Sequence, residues 1–547
     1  MKKVFLMISM VSVFLMMSCE LFFEKNDTNT NSSSSSSESF LVITNEGPYD
    51  RPIAGISSIM NANRSARTER QAAVLEPEYD GPQIIDVNFD NTELLGLLKE
   101  SAKSEISPDY TLISNPNNAN VAVGDTAQFW CFDRETSFDD SSKVAKYEFV
   151  AKAVGKKCII WACNGTFVEG AAATDTDHLT EPQIPDSKFT ELAASLDSVF
   201  TKEMSIFGSN VLSSSVANLI ATNANTKLNV LIYDICGDGL NTNKTAIVGG
   251  LFYSADFCLQ SWLTNNTNSS YRRLKSNQCE CIHADSYIFK NDAEKNKKST
   301  TSTLLHEFQH MLHFINKQVK YDIGTSTWFN EMLSMSAEDI FQTQLGLSDA
   351  DSPKSRMSTF NSGYFAGFKN WRSGNDVLYS YANAYAFGAY LMRNYGGIKL
   401  INQIATNSYA DDAAITAALK QLGYSEEYTS VLRKFENVIV YPDAEDKPNL
   451  LKSVTEGFGG VNYSLTPIQL MNYITVINES QKDYYYDIDN RYYTRDGNSY
   501  IRGPVILNKG YYHNSVLGPG GTYVLFYGWS SPDITEENGL YQRVLEK

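Results

Sequence analysis

Apolar residues recur along this chain with two different spacings, and the switches between them lay out its parts. Between 120 and 165 the spacing is two. Asn120-Val-Ala-Val-Gly-Asp-Thr-Ala-Gln-Phe-Trp, Tyr147-Glu-Phe-Val-Ala-Lys-Ala-Val-Gly and Cys158-Ile-Ile-Trp-Ala-Cys read as strands, predicting an N-terminal β domain over 81–175. From Asp186 the spacing becomes helical, with Phe189, Leu192, Leu196, Val199 and Phe200 on one face. Asn229-Val-Leu-Ile-Tyr-Asp-Ile is then a strand apolar on both faces, and Val248–Asp256 and Cys281–Ile288 continue as strands. Helical spacing returns in Leu304–Phe314, Thr327–Asp339, Tyr379–Tyr395 (stopped by Gly396-Gly397) and Glu426–Val438. Residues 445–547 turn to Tyr-, Gly- and Asn-rich strands such as Tyr523-Val-Leu-Phe-Tyr-Gly-Trp, an accessory β domain. The pattern predicts an α+β protein: a mixed body over 180–440 between two β domains.

Composition adds size and surroundings. A chain of 547 residues exceeds one hydrophobic core, and 42% hydrophobic with 32 Tyr is a folded, strand-rich composition. A net charge of −17 argues against nucleic acid or an anionic membrane surface as partner; a monomer is expected. Lys2-Lys3, the apolar Val4–Met17 and Ser18-Cys19 resemble a bacterial lipoprotein signal, too short to span a bilayer. That places a signal at 1–18, a lipid on Cys19, and a tether over 19–40 with serines at 32–37. Residues 41–80, with Arg64, Arg67 and Arg70, read as linker or propeptide. The expected address is extracytoplasmic, lipid-anchored to a bacterial membrane, or alternatively secreted.

The other cysteines, 131, 158, 163, 236, 258, 279 and 281, define no disulfide map. Cys279-Glu-Cys281 is too tight for a Cys-x-x-Cys zinc pair, and its sulfurs share one face of a strand; buried free thiols are the alternative. Asp234, Asp238, Asn241 and Asn243 surround a turn without the spacing of a calcium loop, leaving calcium possible but unsupported.

The chemistry concentrates in Leu304-Leu-His-Glu-Phe-Gln-His-Met-Leu-His-Phe314. On a helix, His306 and His310 share a face one turn apart and can offer two nitrogens to one metal ion. Glu307 is rotated about 100° from His306, beside a water on that ion rather than on the ion itself. A third protein ligand is required, and Glu331 follows after room for a turn and a new helix.

Thr303-Leu-Leu-His-Glu-Phe-Gln-His followed by Trp328-Phe-Asn-Glu331-x-x-Ser334 resembles the hyicolysin family of secreted zinc metallopeptidases, which are glutamate zincins. The resemblance covers roughly 180–440 and implies a thermolysin-like zincin domain with a mixed sheet. It implies one catalytic zinc on His306, His310 and Glu331, Glu307 as general base, and protein or peptide substrates. It also implies an oxyanion-stabilising tyrosine in the later helix, Tyr381 first and Tyr385 second, and an edge strand that pairs with extended substrate. Many glutamate zincins place an acidic residue four positions after the ligand Glu; here that position is Met335, and Glu338 is the candidate to orient a ligand histidine. His313 reads as a packed or hydrogen-bonded histidine. The alternative function is a non-catalytic surface lipoprotein using the fold for binding or adhesion. An aminopeptidase lacks support, because no Gly-x-Met-Glu-Asn anchor for a free amine occurs.

Overall fold

The computed structural model describes residues 39–52, 83–88, 118–134, 144–171, 184–508 (with breaks at 213–217, 221, 223–225, 238–245, 269–270, 478 and 496), 516–528 except 518, and 540–546. Cys19, the signal segment, the Arg64–Arg70 patch and Asp238, Asn241 and Asn243 lie outside the described residues.

Leu228–Tyr233 is buried at all six positions because it runs through the middle of a seven-stranded sheet with cover on both faces. The strand order is Gln83–Asn88, Ala246–Phe252, Cys281–Asp285, Leu228–Tyr233, Cys158–Gly170, Ala145–Val154, Thr126–Cys131. The three central strands run parallel. Ala246–Phe252 is antiparallel to Cys281–Asp285, and Gln83–Asn88 is parallel to Ala246–Phe252. The chain is therefore α+β with a mixed sheet.

Two boundaries expected from composition differ in the structure. The strands assigned to a separate β domain over 81–175 and those of 180–440 are hydrogen-bonded into one sheet, so the boundary at 175–180 is not a domain edge. Alternation reports which face of a strand is buried, not which sheet it joins. The tether and linker, drawn to meet at 40–41, also overlap a strand. Ser39–Asn45 sits between Thr522–Gly528 and Leu540–Glu546, antiparallel to both, with Phe40, Val42 and Ile43 fully buried.

Four helices carry or brace the candidate site. Helix α1, Asp186–Phe207, buries the predicted stripe of Phe189, Leu192, Leu196, Val199 and Phe200, each apolar side chain contributing roughly 1.5–3 kcal/mol. Helix α2, Ser299–His313, is buried from Thr300 onward and lies against strands Ala246–Phe252 and Cys281–Asp285. Its first turn is held by Asp292, whose Oδ2 accepts the Thr300 N–H at 2.6 Å. It continues into a π-helical turn, Phe314–Val319, a departure frequent at functional sites. Helix α3, Thr327–Leu345, packs between α2 and helix α4, Val377–Asn394.

The α3–α4 approach needs a glycine: a Cβ on Gly388 would stand 2.8 Å from Met332 Cγ and 3.0 Å from Ser336 Oγ. The same pair of helices is tied by the fully buried bidentate Arg393–Asp339 ion pair, at 2.8 and 3.2 Å. Among the described residues no helix is long and apolar enough to cross a membrane.

Candidate metal centre

An isolated helix rich in Ser, Thr, His, Glu and Gln belongs at the surface, yet almost all of α2 is buried. Buried polar groups persist only where partners meet them, and α3 supplies those partners. His306 Nε2 lies 2.9 Å from Glu331 Oε2, and His310 Nε2 lies 3.7 Å from Glu331 Oε1. The two imidazoles stand edge-on with centroids 4.7 Å apart. His306 and Glu331 are fully buried and His310 is 3% exposed.

Each histidine is fixed from behind. Glu338 Oε1 lies 2.9 Å from His306 Nδ1, while its Oε2 accepts the Ser302 hydroxyl at 2.5 Å. A carboxylate there holds the proton on Nδ1, so Nε2, facing Glu331, is the nitrogen available to an ion. His310 Nδ1 is 3.0 Å from Ser334 Oγ, whose hydroxyl donates to Gln309 Oε1. The proton then sits on His310 Nδ1, and Nε2 again faces inward bare. Burial pushes the His310 imidazole down to about 4, against the pull of Glu331, so it is neutral at neutral pH.

These lone pairs test whether a cation fits. His306 Nε2 and Glu331 Oε2, 2.9 Å apart, share a proton, or a cation in its place. His310 Nε2 and Glu331 Oε1, both buried and lacking a short hydrogen bond among the described residues, face each other at 3.7 Å. Two imidazole nitrogens and one carboxylate, all within 4.8 Å of one another, match the donor set of a three-ligand catalytic zinc site.

Glu307, next to His306 on the same turn, is fully buried beneath the strand that crosses α2. The crossing is close. A Cβ on Gly250 would stand 2.6 Å from Thr303 Cγ2 and 3.0 Å from both Glu307 Cγ and the His283 carbonyl oxygen. Strand Ala246–Phe252 is thus laid over Glu307. Its outer side is paired in parallel with Gln83–Asn88, Asp86 standing opposite Gly250.

The tyrosines of α4 divide. Tyr381 is buried, its ring edge-on to Trp371 at 4.8 Å with the Arg356 guanidinium 4.7 Å above its face. Tyr385 instead faces the Asp339–Arg393 pair, a place in the helix packing. His313, three residues beyond His310, is buried with Nε2 2.7 Å from Thr325 Oγ1, a hydrogen-bonded histidine. Sequence reading missed Glu203 of α1. It is fully buried, with both carboxyl oxygens lacking hydrogen-bond partners among the described residues. Burial pushes its carboxyl well up from the usual carboxylate range, against His306 and with Glu338 adding to the rise. The available signal was its position on the apolar stripe, three residues after Phe200 and four before Phe207.

No family model matches the chain. A search of known proteins finds "Neutral metalloprotease ShpI" of Staphylococcus hyicus, 27% identical over 198 residues, which are 35% of this chain and 41% of that protein. The chain thus spans about two fifths of the length of the relative it matches.

Proposed function

We propose that this chain is an exported zinc-dependent metalloendopeptidase of the glutamate-zincin type, tethered through a lipid on Cys19. The observation that carries the reading is the convergence of His306 Nε2, His310 Nε2 and the Glu331 carboxylate beside Glu307. Bound by those three residues, zinc supplies Lewis acidity toward a scissile carbonyl and lowers the pKa of water to near neutral. Glu307 accepts a proton as the water oxygen bonds to the carbonyl carbon, and returns it to the amine nitrogen as the C–N bond breaks. Glu338 and Ser334 hold the two imidazoles in the tautomer that keeps Nε2 free for the ion. Tyr381 is assigned to the developing oxyanion by resemblance, its ring held by Trp371 and Arg356. An extended peptide would join the sheet beside Ala246–Phe252, the position Gln83–Asn88 occupies, so that segment must give way first.

The test is zinc content and casein cleavage by the full chain beside Glu307→Gln. Zinc retained by both, with cleavage reduced at least about 100-fold in the variant, is the expected result. Zinc retained by both with no cleavage of any protein by either would favour a non-catalytic binding module.

A further inference from the structure

Away from the His306–His310–Glu331 centre, a second group of metal-binding side chains converges among the described residues. Asp256 lies on the short turn Ser254–Phe257, just after strand Ala246–Phe252. Cys281 and His283 lie on the adjoining strand, two residues apart and hence on one face. Cys281 Sγ is 3.1 Å from Asp256 Oδ2, His283 Nε2 is 3.1 Å from the same oxygen, and the sulfur and nitrogen are 3.9 Å apart. Donors on a tetrahedral ion at about 2.0–2.3 Å stand about 3.3–3.8 Å from one another, within a few tenths of an ångström of these separations. None of the three residues is more than 1% exposed.

The donors are also oriented from outside. His283 Nδ1 is 3.0 Å from the Tyr233 hydroxyl, which accepts the Phe132 N–H at 3.2 Å. Asp256 Oδ1 accepts the Asn277 N–H at 2.7 Å, which leaves Oδ2 for the cluster. Partners behind a histidine and a carboxylate are what a metal site requires of its surroundings. Cys279, buried and in contact with the Cys281 thiol, offers a further sulfur.

We propose that Asp256, Cys281 and His283 form a second, structural site for a divalent transition metal, zinc by the nature of its sulfur, nitrogen and oxygen donors. The ion would pin the turn after Ala246–Phe252 to the strand beside it, fixing the segment whose Gly250 lies on Glu307. On loading, the Cys281 S–H bond breaks, a sulfur–metal bond forms and one proton leaves. Without metal the thiol stays protonated, and its S–H donates to Asp256.

Cobalt distinguishes the two sites, because the first has no sulfur donor. The full chain is freed of metal and titrated with Co²⁺ alone, with metal per chain and the near-ultraviolet thiolate-to-cobalt charge-transfer band as readouts. We expect about two ions per chain in the native protein, one site of each kind. The double variant His306→Ala/His310→Ala should keep one ion and the full band, and Cys281→Ser should lose the band. His283→Gln keeps the thiol and should bind cobalt at this site at least about tenfold more weakly. A double variant that binds no cobalt, or binds it without the band, would overturn the proposal and leave a closed hydrogen-bond network. An unchanged band in His283→Gln would overturn it too. Neither readout depends on peptide cleavage.

Discussion

Replacing Glu338 with Gln tests whether the residue behind His306 tunes the metal site or only fills space. The carboxylate makes two contacts, 2.9 Å to His306 Nδ1 and 2.5 Å to Ser302 Oγ, and the residue is 8% exposed. A glutamine can keep both bonds: its carbonyl oxygen takes the Nδ1–H, and its NH₂ donates to a Ser302 hydroxyl that has turned. Only the charge is removed. A hydrogen bond to a charged group contributes about 1.5–3 kcal/mol against about 1 for a neutral one, so the loss on the imidazole is about 1–2 kcal/mol. At 1.4 kcal/mol per tenfold, zinc should bind about 5–30-fold more weakly, inside the roughly 10–100-fold range for residues behind metal ligands. The assay is competition for zinc against a chromophoric chelator at fixed pH, paired with thermal unfolding of the metal-free protein. An unchanged zinc affinity with a lowered melting temperature would refute the reasoning and leave Glu338 a packing residue.

Further expectations follow from the helix contacts, the buried acids and the occupied edge. Gly388→Ala pushes a methyl into Met332, next to Glu331, and should cost about 1–3 kcal/mol by overpacking, read by denaturant unfolding. Burial pushes the Glu280 carboxyl up to about 8, against the Asn210 amide that donates to its Oε1 at 2.8 Å. Because the folded chain holds a proton that the unfolded chain releases near 4.5, this group withdraws stability as pH rises from about 4.5 to 8. Glu280→Gln should therefore stabilise by an order of a few kcal/mol at pH above about 8 and by almost nothing near pH 4, in melts across that range. Ile85→Pro/Asp86→Pro removes strand N–H donors of Gln83–Asn88; it should raise kcat/KM toward an unfolded protein substrate, and an unchanged value would make that strand a permanent member of the sheet.

The geometry of His306, Glu307 and His310 on one helix was legible in the chain itself, for a physical reason. Spacing of one and four on a helix is local geometry, so His306, Glu307 and His310 fall into their relation as soon as α2 forms. The helical stripe of α1 and the two-faced burial of Leu228–Tyr233 were equally readable, because periodicity encodes which faces leave water. Long-range partners were not encoded that way. Glu338 was a candidate from its place on α3, but that it stands behind His306 is decided by the depth at which α3 crosses α2, which Gly388 and the Arg393–Asp339 pair help to set. Glu203 sits on the apolar stripe of α1, and only the packing of the helices makes it a buried acid. The single sheet running from Thr126–Cys131 to Gln83–Asn88, the strand made of Ser39–Asn45, and the meeting of Asp256 with Cys281 and His283 all join segments far apart in sequence. Local pattern decides what each segment can bury. Only the closing of the whole core, which selects the pairings that leave the fewest buried groups unmet, decides what it is buried against.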